Sequence, residues 1–254
     1  MQYHLTIKNI EDENCSNRRH WPYRQPGHEV AAASPKSGVD TLTGEGLAEV
    51  LAQTQVVIDV SNSPSFEDKA VMDFFTTSNE NLLAAEKIVG VQHHIALSVV
   101  GTQELQSSGY FRAKQVQEDM IQASGIAYTI VHATQFFEFA GSIVLMSQID
   151  GKTVLPDANI QPIASKDVAS FMAKIALSQP SNNIVAIGGP EKFVMTDWIG
   201  QYAKATNKTL DIIADKDAVY SGSKLEANTL VPNAAVYLGE TKYDDWIAIV
   251  DNQR

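Results

Sequence analysis

Three polar side chains in the middle of the chain have types and a spacing that suit proton transfer. Ser98 lies at the end of an apolar run, Tyr110 at the start of a helical pattern, and Lys114 one helical turn later. Residues four apart share a helix face, so the phenol and the ammonium can lie side by side. A nearby cation favours the phenolate and lowers the pKa of a tyrosine. Such a tyrosine can protonate a carbonyl oxygen during hydride transfer.

The alternative is an amphipathic helix whose solvent face carries Tyr110 and Lys114 without a chemical role. A Tyr-x-x-x-Lys match alone favours that alternative. Ser98 favours the catalytic interpretation, because the loop after its strand can bring the hydroxyl beside the phenol.

The elements around these residues alternate between short apolar strands and helices. This alternation predicts an α/β fold with a doubly wound parallel sheet. Ligands of such sheets bind beyond the carboxyl ends of the strands. Each of four predicted strands (30–33, 56–60, 95–100 and 128–132) carries a polar residue at or just beyond its carboxyl end, so one crevice could collect all four. These residues are Ser34, Asn62, Ser98 and Thr134.

The turn after the first of these strands bears on cofactor choice. In dinucleotide-binding folds an acidic residue near this point holds the ribose hydroxyls of NAD, whereas small polar and basic residues accommodate the phosphate of NADP. The turn contains Ser34 and Lys36 and no carboxylate. We therefore expect NADP, with NAD as the alternative; an ordinary polar turn is an equal interpretation of the same residues.

The chain resembles the short-chain dehydrogenase/reductase superfamily, which uses a serine, a tyrosine and a lysine in this order. Within it, the resemblance is to the atypical NmrA-like branch of NAD(P)-binding proteins, and it covers about residues 27–254. It implies a Rossmann-like domain over 27–254, with a small C-terminal substrate-side lobe from about residue 150. The segments that carry it are GHEVAAASPKSGVDTLTGEGL, VVIDVSNSP, ALSVVGT, GYFRAK, YTIVHATQFFEF and QPIASKDVA.

The resemblance implies roles for the residues at these positions. Tyr110 would be the proton donor, Lys114 would hold the nicotinamide ribose, and Ser98 would orient the substrate carbonyl. The remaining implied roles are contacts to the adenosine half of the cofactor for Asn62 and Ser63, to its nicotinamide end for Thr134, and to substrate for Gln135 and Phe136. Asn62 and Ser63 also fit a capping turn, and one of Phe136 and Phe137 also fits the core.

The resemblance leaves two functions open. The first is an NADPH-dependent oxidoreductase that acts on a small carbonyl substrate. The alternative is a non-catalytic NAD(P)-binding redox sensor of NmrA type that signals through a protein partner, because some members of the branch bind dinucleotide without catalysis.

The first 26 residues depart from this pattern, since no glycine precedes Gly27 and the glycine-rich turn of a dinucleotide site is missing. Codons for Asn17 to Gln25 exist that, read one base later, encode Ile-Gly-Gly-Thr-Gly-Leu-Ile-Gly. A frameshift or faulty gene model is therefore our hypothesis, with a divergent N-terminal arm as the alternative. Residues 4–7 could pair as an edge strand in place of the usual first strand. We expect weak or no dinucleotide binding by this sequence.

Bulk properties limit the remaining classes. A formal net charge of −11 argues against nucleic acids and acidic membranes as partners. The single cysteine, Cys15, excludes an internal disulfide and a cysteine metal cluster, and a cytoplasmic location is expected. His93 and His94 precede a strand without a carboxylate or cysteine nearby in sequence, so we interpret them as a surface pair rather than metal ligands.

Overall fold

The structure is a computed structural model that describes residues 4–9, 28–249 and 252. The contacts divide the chain into two compact units, each made of separate segments. Unit 1 takes the described residues of Met1–Ser98, Ala113–Val131 and Met172–Ile184. Unit 2 takes those of Val99–Arg112, His132–Phe171 and Val185–Arg254. The predicted boundary at residue 26 lies outside the described residues, and the one near residue 150 stays a prediction.

Strands and helices alternate along the chain, as the sequence pattern predicts. The strands are β1 (His4–Asn9), β2 (His28–Ala33), β3 (Thr54–Asp59), β4 (His93–Val99), β5 (Tyr128–Ala133), β6 (Gln148–Ile149), β7 (Lys152–Pro156), β8 (Asn159–Ile160), β9 (Asn183–Gly188), β10 (Phe193–Val194), β11 (Ile212–Asp215), β12 (Val219–Tyr220), β13 (Ser223–Lys224) and β14 (Ala235–Leu238). The α-helices are α1 (Leu47–Leu51), α2 (Asp68–Val89), α3 (Gly109–Ala123), α4 (Ala140–Met146), α5 (Ser165–Ala176), α6 (Met195–Ala205) and α7 (Tyr243–Ile247), with 3₁₀ turns at Pro35–Ser37 and Phe137–Phe139.

The largest sheet has seven strands in the order β14-β9-β5-β4-β3-β1-β2. β3 pairs with β4 in parallel, and β9 pairs with β14 in parallel. β2 and β3 both run antiparallel to the strand between them and so share one direction. The predicted α/β fold with a parallel sheet is thereby confirmed, with one exception.

The exception is β1, which lies inside the sheet and runs against both neighbours. His4 pairs with Ala33 and with Asp59, the last residues of β2 and β3. Asn9 pairs with His28, the first residue of β2. The chain therefore leaves β1 at the amino-terminal edge of its neighbours. Residues 4–7 thus take the place of the usual first strand, but in an interior position with partners on both sides and not as the edge strand that the sequence allowed.

Unit 1 is built around the long helix α2. Val71, Phe75 and Leu82 repeat at helical spacing and are buried. The helix begins after Glu67, whose carboxylate accepts a hydrogen bond from the backbone N–H of Ala70 at 3.1 Å. It ends at Gly90, where φ is +78°, a conformation that glycine adopts without steric cost.

Unit 2 has its own apolar core, which gathers α4, α6 and α7. The largest fully buried rings of this core belong to Phe137, Trp198 and Tyr243. Phe137 packs edge-on against Tyr243 at 5.0 Å between ring centroids. Phe137 thus takes the core position that the sequence allowed to one of the two neighbouring phenylalanines.

Candidate functional site

Lys114 lies in a buried polar network of unit 1. Its side chain is only 2% exposed. Its ammonium donates to the carbonyl oxygen of Leu97 at 2.9 Å and to the amide oxygen of Gln117. Gln117 in turn donates to the Asp59 carboxylate at 2.8 Å. The lysine is therefore linked to the carboxyl end of β3 through one amide, and the alternative of a solvent-exposed lysine is wrong.

Burial controls the charge of this lysine. Loss of hydration lowers the pKa of Lys114 to about 8, although the nearby Asp59 and Glu118 carboxylates act in the opposite direction. The ring of Phe75 lies 4.7 Å from the ammonium nitrogen and contributes a further favourable contact. An amine with this pKa exchanges its proton much nearer neutral pH than an exposed lysine does.

Ser98 belongs to the same network. Its hydroxyl donates to the carboxylate of Glu118, and both side chains are buried in unit 1. Asp59 also accepts from the backbone N–H of Ser61 at 2.8 Å, which fixes its carboxylate at the end of β3. Among the described residues, Ser98 thus has a carboxylate acceptor already in place.

The surface interpretation of His93 and His94 is wrong. Both residues belong to β4, and their side chains are 2% and 0% exposed. His94 contacts the carboxylate of Glu86 at 2.9 Å, and His93 contacts the hydroxyl of Thr129 at 3.0 Å. The partners come from other elements, Glu86 from α2 and Thr129 from β5, and only the fold brings them beside β4.

Four predicted cofactor contacts lie at the carboxyl ends of β2 and β3. Ser34 begins the 3₁₀ turn, where its carbonyl accepts from the backbone N–H of Ser37 at 2.8 Å, while Lys36 is exposed. Ser63 is buried, and its N–H donates to the Asn62 side chain at 3.1 Å. The turn interpretations fit these contacts. Cofactor roles for Ser34, Lys36, Asn62 and Ser63 stay predictions.

Tyr110 belongs to unit 2, although it shares helix α3 with Lys114. Its ring packs edge-on against Phe111 at 5.4 Å between centroids. Burial, and then the proximity of Tyr220, raises the pKa of the Tyr110 phenol well above its ordinary value. This direction is opposite to the lowering that we expected from a neighbouring cation. The phenol therefore stays protonated at neutral pH and can act as a hydrogen-bond donor.

The predicted contact to the nicotinamide end of the cofactor, Thr134, and the predicted substrate contacts, Gln135 and Phe136, follow β5 and also lie in unit 2. Thr134 donates its backbone N–H to Ile187 at 3.1 Å, while its buried hydroxyl has no hydrogen-bond partner among the described residues. Gln135 is buried, and neither polar atom of its amide makes a hydrogen bond of normal geometry with the described residues, although its side chain lies close enough to Tyr220 to interact with that phenol. The ring of Phe136 lies 5.7 Å from that of Phe139. Unit 2 thus brings Tyr110 and Gln135 to the neighbourhood of one residue, Tyr220.

The amino-acid sequence matches the model of one known protein family. A family model described as NAD(P)H-binding matches residues 29–179, which is more than half of the chain. The chain belongs to the NAD(P)H-binding family. The matched span holds most of the candidate site residues named above, from Ser34 to Phe136.

Two proteins that are similar to this chain in sequence have names that describe different functions. Divinyl chlorophyllide a 8-vinyl-reductase, chloroplastic, of Cucumis sativus is 31% identical over 162 residues, which are 58% of this chain and 38% of that protein. Photosystem II assembly factor Ycf39 of Cyanophora paradoxa is 25% identical over 173 residues, which are 64% of this chain and 54% of that protein. The chain thus spans about half or less of the length of these relatives.

A solved structure shows the same fold. The NADPH-dependent quinone oxidoreductase of Escherichia coli superposes with a TM-score of 0.58 at 14% identity, over 83% of this chain and 80% of that protein. At this identity the likeness establishes the Rossmann-like α/β architecture alone.

The described residues fit an NAD(P)H dinucleotide only in part. In this fold the pyrophosphate lies on a glycine-rich turn that follows the first strand at the carboxyl edge of the sheet and opens a helix. β1 occupies the interior position next to β3 but runs the other way, so the chain leaves it at the opposite edge. The pyrophosphate subsite is therefore not formed by the strand that normally supplies it. Asn17 to Gln25, where the glycine-rich turn is expected, lie outside the described residues.

Sequence reasoning missed the acidic half of the network in unit 1. Asp59 and Glu118 are buried in what the patterns indicate as an ordinary strand and an ordinary helix face. One signal was available, because Lys114 and Glu118 are four residues apart on α3, the spacing at which opposite charges lie on one helix face. Among the described residues there is no group of three metal-ligating side chains placed to hold an ion, and no helix with the length and apolarity of a membrane span.

Proposed function

We propose that the chain carries the substrate side of an oxidoreductase that reduces a small carbonyl compound, with NADP as the dinucleotide, and that the present sequence binds the dinucleotide weakly. Membership of the NAD(P)H-binding family supports the cofactor class. The name of the Escherichia coli neighbour, an NADPH-dependent quinone oxidoreductase, supports the NADP form and the substrate class. Ser34 and Lys36, without a carboxylate in their turn, point the same way.

The observation that carries the reaction type is the Tyr110 phenol on α3. It is held in the apolar surroundings of unit 2 and stays protonated at neutral pH, because burial raises its pKa. A protonated phenol can donate a hydrogen bond to a carbonyl oxygen and then transfer its proton as negative charge develops there. Tyr110 is therefore assigned as the hydrogen-bond and proton donor.

The second candidate is a non-catalytic NAD(P)-binding sensor that acts through a protein partner. The contacts of Ser98 and Lys114 favour it, because both side chains already have hydrogen-bond partners within unit 1. A catalytic serine and lysine would have to exchange those partners for substrate and ribose. Similarity to a photosystem II assembly factor also supports a role in protein assembly rather than turnover.

The test uses a chimaera in which residues 1–27 are replaced by the first strand, glycine-rich turn and helix of the Escherichia coli quinone oxidoreductase. Carbonyl-dependent oxidation of NADPH is measured for this chimaera and for its Tyr110→Phe variant. Under the oxidoreductase proposal, turnover falls by about a hundredfold or more in the variant, while NADPH affinity changes little.

Two results would count against catalysis. Equal turnover in the chimaera and in its Tyr110→Phe variant would show that Tyr110 is not the proton donor. Absence of turnover with every ketone and quinone offered, despite tight NADPH binding, favours the sensor.

A further inference from the structure

The β12–β13 hairpin of unit 2 presents a second phenol. β12 and β13 are joined by Ser221 and Gly222, whose φ angles are +49° and +83°. Positive φ at both central positions is typical of the tight two-residue hairpin turn whose twist matches that of its strands. Tyr220 is the last residue before this turn, so the turn fixes the position of its backbone.

The hairpin is attached to the segment that leads into α3. The hydroxyl of Ser223 donates to the carbonyl oxygen of Leu105 at 3.1 Å, and the backbone N–H of Ser108 donates to the same oxygen at 3.0 Å. Ser223 and Leu105 are both buried. Since α3 begins at Gly109, this shared acceptor holds the hairpin beside the start of the helix that carries Tyr110.

Tyr110 and Tyr220 lie close enough to influence each other. Both rings pack against the same hydrophobic cluster of unit 2. Tyr220 is the second cause, after burial, of the raised pKa of Tyr110. Burial raises the pKa of Tyr220 to about 12, and interaction with the Gln135 side chain offsets part of that rise. The protonated phenols of Tyr110 and Tyr220 and the amide of Gln135 therefore lie in one neighbourhood of unit 2.

The amide of Gln135 is the group that points to a ligand. Its side chain is 5% exposed, yet neither its oxygen nor its nitrogen makes a hydrogen bond of normal geometry with the described residues. A buried amide without well-formed hydrogen bonds costs free energy that a bound ligand can recover. Thr134, the preceding residue, adds a buried hydroxyl in the same condition.

We propose that Tyr220, Tyr110 and Gln135 form the polar end of a ligand-binding site in unit 2, and that this site takes an uncharged carbonyl compound with an apolar body. The Tyr220 hydroxyl donates the second hydrogen bond to the carbonyl oxygen, beside Tyr110. The inference rests on the proposed function for the role of Tyr110. The three polar groups are uncharged at neutral pH, so an anion would lose its hydration there without gaining a cation.

The test is a ligand-observed NMR titration of the full chain without dinucleotide. The probes are 4-acetylbenzamide, which is neutral, and 4-acetylbenzoate, which has nearly the same size and carries a negative charge. We expect the neutral ketone to bind at least about tenfold more tightly. Tyr220→Phe should weaken its binding about fivefold, the effect of one lost hydrogen bond.

The matched control is Tyr243→Phe. Tyr243 is also a buried phenol of unit 2, and its hydroxyl has no partner among the described residues. Its removal should leave the affinity for 4-acetylbenzamide unchanged. Thermal unfolding of both variants confirms that each is folded.

Any of three results would overturn the proposed site. The Tyr220→Phe variant could bind 4-acetylbenzamide as tightly as the Tyr243→Phe variant does, or the parent chain could bind 4-acetylbenzoate as tightly as 4-acetylbenzamide. The third such result is a parent chain that binds neither probe. The proposed function fails separately. If 4-acetylbenzamide binds with the expected dependence on Tyr220 but the NADPH-binding chimaera reduces no ketone, the site stands and the reaction does not. If the chimaera reduces ketones equally well with and without the Tyr220 hydroxyl, the role of Tyr220 is disproved and the proposed function stands.

Discussion

Lys114 illustrates how burial can set the protonation of a single side chain. Its ammonium has two acceptors in unit 1, the Leu97 carbonyl and the Gln117 amide oxygen, and the Asp59 carboxylate lies one amide further. These partners do not fully replace water, so the pKa of Lys114 falls to about 8. Its charge in the folded protein therefore costs free energy relative to the unfolded chain.

This cost predicts a pH dependence of stability. The folded-state pKa of Lys114, about 8, lies below the unfolded value of 10.5, so the unfolded chain binds the proton more tightly. Stability should therefore rise as the pH increases from about 8 to 10.5, by on the order of 3 kcal/mol from this group. Urea unfolding across this range should show that Lys114→Met lacks the rise.

The control for this experiment is Lys87→Met, which removes an exposed lysine from α2. Its profile should run parallel to that of the parent. A parent and a Lys114→Met variant with parallel profiles would show that Lys114 is hydrated in solution.

His94 shows the opposite balance. Complete burial lowers its pKa, but the Glu86 carboxylate at 2.9 Å, with a smaller effect of Asp59, outweighs the burial, and the net pKa is raised. A raised folded-state pKa contributes stability that is fully present below the unfolded value of 6.5. This contribution is lost as the pH rises through the folded-state value.

Glu86→Gln should therefore destabilise the chain by about 3 kcal/mol at pH 6, because it leaves a buried imidazolium without its partner. The difference from the parent should narrow as the pH rises through the pKa of His94. Denaturant unfolding between pH 5.5 and 8.5 measures it. Glu80→Gln, an exposed change on the same helix, is the control. A pH-independent difference would contradict a change in the charge of His94 across this range.

At the scale of elements, Gly189 marks a close approach between two backbone segments of unit 2. The position of a Cβ on Gly189, directly after β9, would lie 1.8 Å from the carbonyl oxygen of Pro162. Both residues belong to unit 2, and no rotamer relieves a backbone clash. The close approach lets Gly189 accept a hydrogen bond from Gln161 at 2.8 Å.

Gly189→Ala should therefore cost about 3 kcal/mol of unfolding free energy, since the backbone itself has to shift. Gly200→Ala is the matched control, because this glycine lies within α6 and a Cβ there would meet nothing within 4 Å. The control should stabilise the chain by about 0.5 to 1 kcal/mol through helix propensity. Chemical denaturation of both variants measures the difference. Equal effects would contradict the close approach of the two backbones.

The elements also show what a sequence can predict. Strands β2 to β5 begin and end within a few residues of the four predicted strands, because buried strands are short and bounded by polar residues. Helix starts are harder to predict. Thr241, two residues before α7, has a side chain of a type that caps helices, but its hydroxyl donates to Asp167, and the N–H of Tyr243 donates to Glu191. Caps supplied from distant segments leave no local pattern.

The candidate site was predictable in part for the same reason. Ser34, Ser98 and Thr134 lie at strand ends as expected, since strand ends follow from local patterns. The contacts that occupy them are nonlocal: the partner of Ser98 is Glu118, 20 residues away. The phenol beside Tyr110 comes from Tyr220, on a hairpin more than 100 residues later. Spacing along the chain carries no information about such pairs.

At the scale of the whole molecule, the direction of β1 affects the expected cofactor site but not the membership of the family. The NAD(P)H-binding family match begins at residue 29, just inside β2. Before it, β1 supplies the hydrogen bonds that an interior strand must make, so the sheet is continuous from β2 to β4. Because β1 runs in the opposite direction, the chain leaves it at the edge of the sheet opposite to the one where a pyrophosphate-binding turn is expected. The interior position of the sheet can thus be filled by a strand of either direction. The pyrophosphate site of this fold, in contrast, requires a strand that runs parallel to its neighbours.

The measurement that tests this account most directly is a fluorescence titration of NADPH into the chain as its sequence stands, beside the chimaera with a restored first strand, turn and helix. We expect no binding tighter than about 0.1 mM by the present chain, which corresponds to roughly 5.5 kcal/mol, and binding at least tenfold tighter by the chimaera. If the present chain binds NADPH more tightly than about 0.1 mM, its own N-terminal segment builds a phosphate site, and the claim that the reversed strand removes that site is wrong.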